Sequence, residues 1–156
     1  MAEGDAMRKV VLLDFPLRLM DRARQHRDAL LREFAFLEHG HETSGVPARL
    51  LEIAAESDAR YADLNPESED LCDEALARGD DYIDLELYVP DHFRRHIIDT
   101  VPVLLEVDEF CRSGQMLTLV PPDDLREFWA WYLLEFVRQI EGQPPIAWHD
   151  HSALLS

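Results

Sequence analysis

Two histidines one helical turn apart have the spacing in this chain that best suits metal chemistry. His92 and His96 are four positions apart, which places both imidazoles on one face of a helix, as in helical zinc sites. The intervening Phe93, Arg94 and Arg95 lack the glutamate of the HExxH signature. The two arginines would also repel a divalent cation. We therefore expect solvent-facing histidines here rather than a metal site, and no cofactor is indicated.

The local patterns that activate a nucleophile or hold a phosphate are missing from the sequence. No serine lies in a G-x-S-x-G turn, and no glycine-rich phosphate-binding loop occurs. Neither Cys72 nor Cys111 has a neighbouring histidine or a place at a helix N-terminus that would lower the pKa of its thiol. We expect two reduced thiols and no catalytic residue, so the sequence disfavours an enzyme.

The last predicted helix, residues 125–141, carries the candidate partner-binding surface. A projection at about 100° per residue gives it a broad apolar face, formed by Leu125, Phe128, Trp129, Tyr132, Leu133, Phe136 and Ile140. Trp131 points the other way, among Glu127, Leu134, Glu135 and Arg138. Tryptophan and arginine are enriched in binding hot spots, so these five residues are candidates to bind a partner, with Trp131 as the anchor. Alternatively, the apolar C-terminal tail or another helix covers Trp131.

Two segments have the pattern of β-strands. Residues 8–15 are apolar and are followed by Pro16, and residues 82–89 alternate strictly between apolar and polar or aromatic side chains. A strand with one apolar face is not stable alone, so we expect these two to pair. Residues 115–120 are a third, short β candidate.

Helical patterns occupy most of the remaining sequence. Five helices are predicted, with Asn65 as the N-cap of the third and Pro102 as a kink or break in the fourth. They are the segment from Pro16 to Gly40, then residues 47–64, 66–77, 92–112 and 125–141. The predicted fold class is α+β, mainly helical, with four to five helices packed on a two- or three-stranded sheet. We expect a single domain over residues 1–156, with a flexible N-terminus (1–7) and a docking C-terminal tail (143–156).

Charge limits the classes of partner. The 15 basic and 32 acidic residues give a net charge of −17. Nucleic acids and anionic membranes are bound through cationic surface, so both are disfavoured. A negative surface instead accelerates association with basic proteins. Since the N-terminus lacks a signal-peptide pattern and no apolar run is long enough to span a membrane, we expect a cytoplasmic location.

Several segments resemble parts of small actinobacterial proteins of unassigned function. They are residues 30–35, 46–51 and 111–119, together with 136–139, Pro144, Pro145 and Trp148. The similar proteins tend to be encoded beside partner-switching regulators, namely serine phosphatases, STAS-domain anti-anti-sigma factors and GHKL-type anti-sigma kinases. The resemblance covers roughly residues 10–148. It implies a role in such a circuit and carries no catalytic residue.

The sequence therefore predicts a non-catalytic cytosolic regulatory protein that binds another, basic protein through an acidic surface with an aromatic anchor. Two alternatives remain open at this point. One is a small-molecule- or metal-binding protein with a pocket between helices and sheet, lined by His92 and His96. The other is a homodimer in which the first and last predicted helices form a larger bundle.

Overall fold

The computed structural model describes residues 6–40, 46–61, 64–112 and 122–154. Six helices pack on a two-stranded antiparallel sheet within these ranges, so the predicted α+β class is confirmed. The elements are β1 (Met7–Pro16), α1 (Leu17–Gly40), α2 (Val46–Tyr61), α3 (Pro66–Arg78), β2 (Tyr82–Pro90), α4 (Phe93–Arg112), α5 (Asp123–Ile140) and α6 (Trp148–Leu154). The predicted strand at 115–120 and the segment 1–5 lie outside the described residues.

The two predicted strands pair with each other, and their alternation positions the core. Leu12 faces Leu85 across the sheet and Val10 faces Leu87, and all four side chains are buried. The register then shifts between Leu12 and Phe15, where Asp14 adopts a left-handed backbone with φ of 55°. Such a bulge bends the strand locally, and it occurs where β1 turns directly into α1.

On each outer edge of this sheet, one residue is bonded through its backbone to an amide side chain. On the β1 edge, Gln139 of α5 accepts a hydrogen bond from Val11 N and donates one to Val11 O, both at 2.8 Å. On the β2 edge, Asn65 accepts from Tyr88 N at 2.8 Å and donates to Tyr88 O at 2.9 Å. Each amide therefore satisfies the N–H and C=O of one edge residue, which an additional strand would otherwise pair with.

The prediction that Asn65 is the N-cap of α3, followed by a proline and an acidic first turn, is confirmed, but the Asn65 side chain bonds elsewhere. Asn65 does occupy the position before Pro66, but its side chain makes no capping hydrogen bond. Its one carboxamide is engaged by the backbone of Tyr88, which leaves the helix start to Pro66 and the acidic first turn. Gly79 ends α3 in the left-handed conformation, with φ of 88°, as its place after the last helical residue predicts.

The helices cover the sheet and form a second, smaller core. The main cluster joins both strands to α1, α3, α5 and Trp148. The smaller cluster contains Phe34, Leu50, Val103 and Val107, which join α1, α2 and α4. The described part of α4 continues as one helix through Pro102 rather than as two abutting helices. None of the helices described is long and apolar enough to cross a membrane.

Candidate functional site

Trp131, the predicted interface anchor, is an interior residue. Its side chain is 0% exposed. The indole Nε1–H donates a 2.8 Å hydrogen bond to Ile146 O, and the ring meets Trp148 edge-on with centroids 5.5 Å apart. The prediction of an exposed anchor is wrong, because the C-terminal segment folds back over this face of α5. The alternative that the tail covers Trp131 is confirmed.

Glu135 is buried beside Trp131, only 2% exposed. Its Oε1 accepts hydrogen bonds from Ile146 N at 2.9 Å and from Gln139 Nε2 at 3.0 Å, and its Oε2 pairs with Arg138 at 2.8 Å. The expectation that Glu135 belongs to a binding surface is therefore wrong as well. Trp131 and Glu135 together bond both backbone groups of Ile146, which attaches the tail to α5.

Two ion pairs fix how α4 and α5 lie against each other. Arg94 pairs with Glu141 at 2.6 Å, and Asp108 pairs with Arg126 at 2.5 Å. The start of α4 therefore lies beside the end of α5, and the end of α4 lies beside the start of α5. The two helices are antiparallel, and each ion pair marks the side on which one helix faces the other.

Exposed apolar residues of α4 lie on that same side. At about 100° per residue, Arg94, Ile98, Val101, Leu105 and Asp108 fall within a stripe of about 80°. The two charged residues at its ends contact α5, so the apolar residues between them border the groove between the helices. Leu105 is 66% exposed, and Ile98 and Val101 are also exposed.

The corresponding stripe on α5 completes this surface. Arg126, Ala130 and Leu134 fall within about 80° of one another on α5 by the same projection, and Glu141 is the C-cap of that helix. Leu134 is 48% exposed, and Ala130 is exposed as well. We call the surface formed by Ile98, Val101, Leu105, Ala130 and Leu134 the α4–α5 groove.

Of the five residues predicted to bind a partner, Leu134 is thus the one that the structure places in a sizeable exposed apolar surface. Arg138 is largely buried against Glu135, with 16% of its side chain exposed, and Glu127 is half-buried. The part of the groove on α4 was missed because Ile98, Val101 and Leu105 have the spacing of a buried stripe. Sequence periodicity does not distinguish a face that is covered from one that is open.

His92 and His96 both contact residues of α2. His96 Nε2 lies 2.7 Å from Ser57 Oγ, and His92 Nδ1 lies 3.1 Å from Tyr61 Oη. Both histidines border a cleft of about 740 Å³ between α2 and α4. In the described part of the chain, no group of three or more histidine, cysteine or acidic side chains could hold a metal.

Ser57 and His96 have the contact distance of a nucleophile and its base, but not the surroundings. Ser57 lies inside α2, where the backbone N–H groups are used by helical hydrogen bonds and cannot form an oxyanion hole. Burial lowers the pKa of His96, so its imidazole is neutral at pH 7 and forms a hydrogen bond with the Ser57 hydroxyl. The arrangement is suited to holding α2 against α4.

Cys72 is a free thiol in the core. Burial raises its pKa to about 11, so the thiol is protonated and is a poor nucleophile. The side chain of Cys111 lies outside the described part of the chain.

Comparisons with known proteins identify no relative of this chain. No family model matches it, and neither does any curated protein or solved structure. The resemblance to proteins encoded beside partner-switching regulators therefore stays a prediction.

Proposed function

We propose that this protein is a non-catalytic interaction module whose α4–α5 groove binds an amphipathic helix of a basic partner protein. The observation that carries the proposal is the exposed apolar strip, which runs between two antiparallel helices and has an ion pair at each end. A groove of this kind receives the apolar face of a third helix in a recurring mode of protein recognition.

The strip has enough apolar surface to produce a measurable affinity. Complete burial of a leucine side chain contributes about 1.5–3 kcal/mol. Leu105 is 66% exposed and Leu134 is 48% exposed, so a partner that covered them would gain about 1–2 kcal/mol at Leu105 and about 0.7–1.4 kcal/mol at Leu134. Large apolar side chains that remain uncovered on neighbouring helices are typical of interaction sites.

Net charge favours a basic partner over a second copy of this chain. Two copies would each carry a charge of −17, and the resulting repulsion opposes self-association. The same charge attracts a cationic protein and accelerates its encounter with the groove. The charged residues at the two ends of the groove form ion pairs with each other. The partner's apolar residues would therefore contact the groove, and its basic residues would contact the surrounding acidic surface.

The biological setting that fits the proposal is a cytoplasmic regulatory circuit. The resemblance to proteins encoded beside anti-sigma and anti-anti-sigma regulators supports a partner from such a circuit. Proteins of this kind act by changing which partner they bind, so a docking groove without catalytic residues is compatible with that role.

A pair of matched leucine substitutions tests the proposal. Leu134→Asp places a charge in the groove, whereas Leu71→Asp makes the same change on α3, at a leucine of similar exposure (51%). Each variant and the wild type would be titrated with two amphipathic peptides of about 15 residues, a length at which isolated helices become stable. Both peptides have the same leucine face, and their remaining positions are lysine in one and glutamate in the other.

We expect the lysine peptide to bind the wild type and Leu71→Asp equally, and to bind Leu134→Asp at least about tenfold more weakly, the loss that hot-spot removal produces. Proteins retained by each form from a lysate of the source organism can then be compared in the same way. Equal binding of the lysine peptide by all three forms would place the site elsewhere. A wild-type mass of twice 18.1 kDa that Leu134→Asp reduces to a monomer would show that the occupant is a second copy.

A further inference from the structure

A cavity of about 210 Å³ lies between the sheet and helices α1, α3 and α5. Its wall is mostly apolar and includes Leu12, Phe15, Ala23, Leu85, Leu87 and Phe128. An apolar cavity of about 150 Å³ is large enough to hold benzene. The cavity therefore has space for one six-membered ring and a short substituent.

Tyr132 brings a polar group to this otherwise apolar wall. The residue lines the cavity together with Cys72 and Arg27. Burial raises the pKa of Tyr132 to about 12, so the hydroxyl remains protonated and is a hydrogen-bond donor. Within the described part of the chain this hydroxyl makes no hydrogen bond, and it is not among the buried unpaired side-chain atoms there, so it is accessible to a molecule in the cavity.

The charges near the opening are already compensated. Arg24 pairs with Asp73 at 3.4 Å, and Arg27 lies 3.6 Å from the carboxylate of Asp28. An anionic ligand would compete with these carboxylates for the arginines, whereas a neutral ligand would not. The opening therefore favours a neutral molecule over an acid.

We infer that the cavity is a binding site for a small neutral compound with a single ring and one oxygen that accepts a hydrogen bond from Tyr132. An aryl ketone or aldehyde has this chemistry, with the ring among the apolar side chains and the carbonyl oxygen at the phenol. The site is independent of the α4–α5 groove, since the two share no residue.

Three probes of nearly equal size distinguish the parts of this inference. Acetophenone has a ring and a neutral acceptor, toluene has the ring alone, and benzoate has a charged acceptor. Binding is followed through the indole N–H resonance of Trp129, which lines the cavity, and affinities are measured by calorimetry. We expect acetophenone to bind about three- to tenfold more tightly than toluene, the difference that one hydrogen bond produces, and benzoate to bind most weakly.

Variants locate the ligand. Tyr132→Phe removes the hydroxyl with little change of shape, and should equalise the affinities for acetophenone and toluene. Tyr82→Phe is the matched control, because Tyr82 is an exposed tyrosine that packs against His149, outside the cavity. It should leave both affinities unchanged. Ala23→Leu fills the cavity from a fully buried position of its wall, and should abolish binding of both compounds.

Three results would overturn the inference. The first is the absence of any shift of the Trp129 resonance with acetophenone at saturating concentration in folded wild-type protein. The second is a preference for acetophenone over toluene that persists in Tyr132→Phe, which would show that the ligand oxygen does not bond the Tyr132 hydroxyl. The third is undiminished binding by a folded Ala23→Leu variant. Because none of these variants changes the α4–α5 groove, failure here is distinguishable from failure of peptide binding at Leu134.

Discussion

The attachment of the tail to α5 through a buried carboxylate predicts a large effect from one substitution. Glu135→Ala removes the acceptor for three donors at once, namely Ile146 N, the Gln139 amide and the Arg138 guanidinium. Removal of one member of a buried ion pair costs about 3–5 kcal/mol, since its partners are left unpaired in the interior. Domains of this kind are stabilised by only about 5–15 kcal/mol in total.

The effect should spread beyond Glu135 itself. Gln139 is held by Glu135 and in turn covers the backbone of Val11 on the β1 edge. We therefore expect Glu135→Ala to lower the free energy of unfolding by about 3–5 kcal/mol, and the melting temperature by between about 6 and 20 °C. Glu135→Gln keeps the shape of the side chain and one acceptor oxygen, but it turns an amide N–H₂ group toward other donors. We therefore expect it to lower the free energy of unfolding by about 1–3 kcal/mol.

Urea unfolding followed by tryptophan fluorescence measures these changes, since Trp131 and Trp148 report on the tail contact. Hydrogen exchange at the Ile146 amide gives a local readout and should accelerate in both Glu135 variants. The control is Glu141→Ala at the C-cap of the same helix, where an exposed ion pair with Arg94 should contribute no more than about 1 kcal/mol. A loss from Glu135→Ala below about 1 kcal/mol, with unchanged Ile146 exchange, would refute the assigned role of the carboxylate.

Two further predictions concern the β2 edge and the histidine contact. Replacement of Asn65 by alanine should lower the free energy of unfolding by about 1 kcal/mol and accelerate hydrogen exchange of the Tyr88 amide. Asn65→Asp should have an intermediate effect, because it keeps the acceptor and loses the donor. Unchanged exchange of the Tyr88 amide would contradict this prediction. Burial holds the pKa of His96 below its usual value of about 6.5, so below that pH the unfolded state binds more protons and His96 lowers stability. Urea titrations at about pH 7.5 and 5.5, on either side of that value, should show that acidification destabilises the wild type more than His96→Asn. An equal change in the free energy of unfolding of the two proteins would contradict the lowered pKa of His96.

Local patterns were sufficient to predict most of the secondary structure. The alternation in residues 82–89 follows directly from the two-residue repeat of a strand, and it predicted both β2 and the burial of Leu85 and Leu87. Pro16 and Gly79 lie at element boundaries because their backbone requirements are intrinsic to the residue. These features depend on neighbours a few positions away, which the sequence lists in order.

The location of the candidate site depended on neighbours far apart in the sequence. Periodicity placed Trp131 outside the main apolar stripe of its helix, whereas the structure includes it in the main core cluster. Periodicity carried no information on whether the tail would return to cover that face. The hydrogen bond from Trp131 to Ile146 decides this point.

The sequence by itself determined the α+β class, the pairing of the two strands and the negative charge, because each follows from composition or from local repeats. Only the tertiary structure decided that Glu135 is an interior acceptor, that the side chain of the N-cap residue Asn65 bonds the backbone of Tyr88, and that Leu134 lies beside the exposed stripe of α4. The repeat of a helix sets the angle at which each side chain leaves the axis. Which of those directions meets protein and which meets water is set by the packing of the other elements.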